Sequence, residues 1–181
     1  RNEVAGFTEL FKTYTKLYPC FPSVIIGDDY LAAVQLLDRV QPKMILTNKS
    51  GIAFEAYKRG IAWIAGPNFN TANSFSLACL KEKFNCFGAI ISNEISKDQM
   101  VALAVPDDFR LYASIYHPIE LMTSRQCLFH QVVGCKKSKI DDSCVRQCEK
   151  LATITNLRNN TFCIGKSKGN YCRVFNAANL L

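Results

Sequence analysis

The chain has 181 residues, 49% hydrophobic and 11% aromatic, which suffices for one ordinary globular core with an appendage. Its formal net charge is +7, and no apolar run reaches the length that spans a bilayer. These features argue against a helical membrane protein and set the expectation of a soluble, cytoplasmic chain with no membrane partner. No charged head followed by an apolar run and a cleavage site is seen, so no signal peptide is read, and a start at Arg1 fits a piece of a longer protein.

In chain order, Phe7, Leu10, Phe11, Tyr14 and Leu17 recur near helical spacing and predict a helix over residues 1–20, ended by Pro19 and Pro22. The apolar run Ser23–Gly27 reads as a first strand, with Asp28-Asp29 capping a helix whose apolar positions are Leu31, Val34, Leu37 and Val40. The unit then repeats. Strands are predicted at Lys43–Thr47, Ile61–Ala65, Phe87–Ser92 and Phe109–Tyr116, and helices at Ile52–Arg59, Ser74–Phe84 and Lys97–Ala104. Apolar strands alternating with helices at roughly twenty-residue intervals predict a parallel sheet. That interval is the strand-helix unit of an eight-unit barrel, which takes about 250 residues, so five strands amount to half a TIM-type (β/α)8 barrel or slightly more. Polar residues gather where the strands end: Asp28 and Asp29, Thr47 and Asn48, Asn68 and Asn70, Asn93 and Glu94, then His117. In α/β folds that end is where sites are built. Capping and turn chemistry account for Asp28, Asn48 and Ser96, while Asn68, Asn70, Asn73 and Glu94 stand as a candidate site.

After Tyr116 the alternation stops. Pro118–Met122 reads as a short continuation, and small strands are predicted at Thr153–Asn156, Thr161–Ile164 and Tyr171–Phe175, with turns at Asn159-Asn160 and Lys168–Asn170. The expected organisation is a partial barrel over 1–120 and an irregular, cysteine-rich, basic β appendage over 121–181. Residues 1–120 carry twelve basic and twelve acidic side chains, and 121–181 carry ten and three. The whole excess of positive charge therefore belongs to the appendage, which points to a polyanion partner, RNA above others.

Nine cysteines is an odd number, and six of them fall between Cys127 and Cys172. A secreted disulfide framework is more naturally even-numbered and loop-rich, so a reducing compartment is expected. The spacings are Cys127-x7-Cys135, Cys135-x8-Cys144 and Cys144-x3-Cys148, then Cys163 and Cys172. None is the tight C-x2-C knuckle of a zinc ribbon, which leaves zinc as the alternative to an iron-sulfur cluster whose thiolates converge from separate loops. Free cysteine is also a small apolar residue that is often simply buried. A thiol-imidazole pair, Cys127 with His130 or His117, is a rival that no cysteine-protease signature supports. There is no H-E-x-x-H, no G-x-G-x-x-G and no P-loop, and Gly165-Lys-Ser-Lys-Gly169 reads as a basic turn. Phe129, Phe162, Tyr171 and Phe175 are aromatics able either to stack on bases or to form a small core.

Several segments together resemble the collagenase-like peptidase family U-32. They are Met44–Asn48, Gly66–Ser74, Ile90–Ser96, and Tyr116-His-Pro-Ile-Glu-Leu-Met-Thr-Ser-Arg125-Gln-Cys127, followed by Cys144-x3-Cys148 and Cys172-Arg-Val-Phe-Asn176. The resemblance implies an eight-unit barrel of which this chain is the second half, partnered by the missing amino-terminal half or by a second copy of the chain. It also implies a cluster, of the four-iron type, held by Cys127, Cys135, Cys144 or Cys148, and Cys172. The activity implied is hydroxylation of a pyrimidine in ribosomal or transfer RNA, with peptide hydrolysis, or a noncatalytic fragment with a structural metal, as the alternatives. Asn68, Asn70 and Glu94 would line the pocket, and Arg125 would bind a small acidic co-substrate.

Overall fold

The structure is a computed structural model describing residues 2–115, 118–169 and 171–176. The chain divides into two compact units, 1–115 and 116–181. The expected strand end at Tyr116 and the polar His117 lie outside the described residues, as do Asn170 and Arg1.

The first unit is a five-stranded parallel sheet in the order β1-β2-β3-β4-β5, formed by β1 (Cys20–Phe21), β2 (Met44–Thr47), β3 (Ala62–Ala65), β4 (Gly88–Ile90) and β5 (Arg110–Tyr112). A helix lies between each pair of consecutive strands: α2 (Asp28–Val40), α3 (Ser50–Lys58), α4 (Ser74–Phe84) and α5 (Lys97–Val101), with α1 (Asn2–Thr13) ahead of them. Spatial order follows chain order without the reversal that defines a doubly wound sheet, an arrangement compatible with part of a barrel.

Side-chain parity decides what each face of the sheet does. Ile45, Thr47, Trp63, Ala65 and Ala89 are buried, and all but Thr47 share one cluster with Ala33, Leu36 and Leu37 of α2, Ile52, Ala53 and Ala56 of α3, and Leu77 of α4. The Trp63 indole N–H donates to Phe84 O at 3.0 Å and so ties β3 to the end of α4. The opposite face presents Met44, Leu46, Ile64, Ile90 and Tyr112, which with Tyr18, Phe87 and Arg110 line an open cavity of about 410 Å³.

Two expectations fail at the amino end. The first strand is Cys20–Phe21 rather than Ser23–Gly27, because Pro22 has no N–H to give a ladder and halts pairing after two residues. Ile25 instead enters the core at 7% exposure, and Gly27, at φ 58°, turns the chain into α2. Gly27 is thus the N-cap, and Asp28 and Asp29 lie inside the first turn, where their charge suits the helix dipole. Helix α1 also stops at Thr13, short of Pro19, whose carbonyl accepts from Leu46 N at 2.9 Å and belongs to the sheet edge.

The second unit is more regular than an appendage. It is a four-stranded antiparallel sheet, β6-β9-β8-β7, of β6 (Glu120–Ser124), β7 (Lys150–Thr155), β8 (Thr161–Lys166) and β9 (Cys172–Asn176). The β7–β8 turn is held by the Asn156 carboxamide, which accepts from Arg158 N and Asn160 N at 2.9 Å, with Asn159 at φ 60°. The core of this unit is small: Phe129, Ile164 and Cys172, joined by Cys127, Leu128, Ala152, Ile154 and Val174. A π-helical turn (Phe129–Val133) and the short α6 (Asp142–Arg146) occupy the stretch between β6 and β7.

Candidate functional sites: the strand mouth and the thiol end

The strand ends of the first unit are knitted by their own polar groups. Thr47 Oγ1 accepts from Lys49 N at 3.0 Å, and Thr71 Oγ1, fully buried, donates to Ile90 O at 2.7 Å. The Asn48 carboxamide spans two strand ends: its Oδ1 accepts from Asn68 N at 3.2 Å, and it lies over Gly66, where a Cβ would sit 2.0 Å from Oδ1. Asn48, read from sequence as turn chemistry, is therefore a cross-strand brace. Asn73 caps α4 through Ser76 N at 2.9 Å, Asn70 takes the left-handed position after the Pro67–Phe69 turn at φ 53°, and Ser96 forms a capping box with Gln99. The side chains of Asn68, Asn70 and Glu94 are exposed, and Glu94 N donates to Ser92 Oγ at 3.3 Å.

In the second unit, antiparallel pairing brings chain-distant cysteines to one end of the sheet. Ser124, the last residue of β6, is in register with Cys172, the first of β9. Cys127 follows β6 by three residues, and its thiol interacts with that of Cys172. Lys166 ends β8 opposite Lys150, which begins β7, and Cys148 lies two residues before Lys150. Cys135 and Cys144 sit between, on the β6–β7 connection. Parity separates Cys163: it alternates with Ile164 in β8, whereas Cys172 shares the Ile164 and Val174 face. None of these cysteines is cross-linked.

Their electrostatics differ. Burial pushes the Cys172 thiol up, and the neighbouring Cys127 adds to this, while the backbone of Leu128 and the Lys166 ammonium pull the other way. The Cys135 thiol is held below its ordinary value, first by the backbone N–H of Lys137 and then by the ammonium of Lys150, 3.5 Å from its sulfur. Lys137 Nζ reaches Asp141 Oδ2 at 3.0 Å, Ser143 Oγ at 2.7 Å and Cys144 Sγ at 3.5 Å. The Ser143 hydroxyl and Lys137 keep the Asp141 carboxyl well below the usual range, and Asp141 caps α6 at Cys144 N, 3.2 Å away.

The sequence presents these lysines only as charge. Lys166, placed in a basic turn, is a strand residue 5% exposed. Like charges directly opposite on neighbouring strands destabilise a sheet. The two side chains of the Lys150–Lys166 pair have different neighbours, Lys150 Nζ lying 3.5 Å from Cys135 Sγ and Lys166 lying near Cys172.

The donors suit a soft-metal centre in kind, since thiolates are what iron-sulfur clusters select. In arrangement they form one pair, Cys127 with Cys172, plus three thiols on one connection. Among the described residues no set of three or more Cys, His, Asp or Glu is gathered closely enough to hold an ion. His130 is exposed and meets Cys127 through its backbone N–H, 3.0 Å from Cys127 O. Arg125 is exposed one residue beyond β6. No protein-family model, curated protein or solved structure matches the chain.

Proposed function

We propose that this chain is part of an iron-sulfur-dependent RNA-hydroxylating protein resembling the U-32 family, with its first unit the second half of an eight-unit barrel. The observation carrying the redox reading is the Cys127–Cys172 pair at the end of the sheet where Lys150 and Lys166 face one another. A thiolate-ligated cluster is anionic, and two opposed ammonium groups beside its ligands offset that charge. Cys127 and Cys172 would hold the cluster with Cys135 and with Cys144 or Cys148. Its chemistry when bound is one-electron transfer; the lysines hold the ligands' charge.

The barrel reading draws support from sequential strand order and from the open apolar face of Met44, Leu46 and Ile64. Parallel sheets are ordinarily covered on both faces, and the remaining strands, from a preceding segment or a second copy, would cover this one. In that barrel Asn68, Asn70 and Glu94 stand at the mouth, and Arg125 is assigned to an acidic co-substrate. An RNA substrate accords with the positive charge of 121–181, and a cytoplasmic setting accords with the uncrosslinked thiols.

The test is anaerobic purification and reconstitution with iron and sulfide. About four irons and four sulfides per chain, with visible charge-transfer absorption, are expected, and Cys127→Ala or Cys172→Ala removes them while Cys163→Ala does not. One zinc per chain with no sulfide overturns the reading.

A further inference from the structure

We infer that the open face of the first sheet is a binding site for a medium-chain acyl carboxylate, its anionic head at Arg110 and its apolar body lying across β4, β3 and β2. The inference goes beyond the cluster and RNA readings and uses only the five-stranded sheet. The cavity on this face, about 410 Å³, has Met44, Leu46, Ile64 and Ile90 as its floor and Arg110 and Tyr112 on its β5 side, a volume within the range of ligand sites.

Register places the parts. Leu46 stands opposite Ile64, Ile64 opposite Gly88, and Gly88 opposite Arg110, and residues paired across a sheet share a face. The row therefore runs from apolar side chains on β2 and β3, past a residue with no side chain, to a guanidinium on β5. Ile90 and Tyr112 make the next row on the same face, while Ile45, Trp63 and Ala89 alternate to the buried side. Arg110 lies over Phe87, its Cζ 5.2 Å from the ring centre, and no ion pair among the described residues engages it. The lining holds no carboxylate. One unpaired cation bordering an apolar floor matches one anionic head on an apolar body, and a guanidinium holds a carboxylate through two parallel hydrogen bonds. From β5 to β2 is three strand spacings, about 14 Å, the span of a medium-chain acyl group. A second copy laid on this face would bring another Arg110 and no acid, so it fits the charge less well.

The experiment titrates the full chain calorimetrically with sodium decanoate and with decanol, each below the concentration at which it aggregates. The acid is expected to bind about tenfold more tightly than the alcohol. Arg110→Gln removes that preference and leaves the alcohol within about twofold of its wild-type affinity. Leu46→Asp weakens both ligands. Arg39→Gln, exposed on α2, changes neither by more than about twofold. Unchanged circular dichroism checks the fold of each variant, and sedimentation velocity follows the oligomeric state. Equal affinity for acid and alcohol, an equal loss in Arg39→Gln, or no binding at all overturns the inference. A wild-type dimer that Leu46→Asp splits also overturns it, in favour of a second copy on this face. None of these results bears on the iron and sulfide content, which is decided separately.

Discussion

Gly88→Ala tests how tightly the parallel sheet is drawn together. Gly88 lies in β4 directly opposite Arg110 of β5, and a Cβ built there would stand 2.4 Å from Arg110 O and 3.1 Å from Arg110 Cβ. The first distance is about 1 Å short of ordinary contact, and the obstacle is backbone that cannot rotate aside. Strand β5 must retreat, which stretches Arg110 N to Phe87 O, now 3.2 Å, and Ile91 N to Tyr112 O, now 2.8 Å. Overpacking strain of about 1–3 kcal/mol and roughly 1 kcal/mol for each bond lost give about 3 kcal/mol. Urea unfolding followed by tryptophan fluorescence reads this unit alone, since Trp63 is the only tryptophan and lies in β3. With a slope of about 1.5 kcal/mol/M, the midpoint falls by about 2 M. Gly66→Ala is the internal comparison. Its Cβ displaces only the Asn48 side chain, so the loss is the brace to Asn68, about 1 kcal/mol. A Gly88→Ala midpoint no lower than that of Gly66→Ala would refute the close approach of β4 and β5.

Two further outcomes concern titrating groups. Burial pushes the Cys86 thiol up to about 11, so at pH 8 only about one part in a thousand is thiolate. Mass spectrometry after brief iodoacetamide treatment should find Cys135 alkylated well ahead of Cys86, and Lys150→Ala should slow Cys135; equal rates at the two sites contradict both assignments. The Asp141 carboxyl is depressed in the folded state, so its support of α6 is full above the ordinary Asp value of about 3.9. That support is lost as pH falls from there through the lower folded value. Carbon-13 titration should show Asp141 still ionised at about pH 3.9, and a midpoint at the ordinary value rejects the Ser143–Lys137 contacts.

Much of the first unit is legible in the chain because periodicity there is strong and turns are marked. Helix α4 begins at Ser74 and ends at Phe84 as spacing predicts, with Asn73 as its cap. The amino end is less readable, since an apolar run such as Ser23–Gly27 resembles a strand whether or not its neighbours can pair with it. Long-range pairing is what local pattern omits. Nothing near Cys127 announces that β9 lies alongside β6 and delivers Cys172, and Cys163 is set apart only once strand parity is known. The same holds for Lys166: a Gly-Lys-Ser-Lys-Gly run suggests a solvated turn, and only the register with Lys150 draws it inward.

The β6–β9 pairing also orders events during folding. Strands β7, β8 and β9 can assemble through short hairpin closures, whereas joining Glu120 to Phe175 closes a loop of more than fifty residues and costs more chain entropy. That strand therefore docks late, and the native approach of Cys127 to Cys172 is completed only with it. Any ligand that needs both sulfurs in their native arrangement is therefore held only after the last strand has paired.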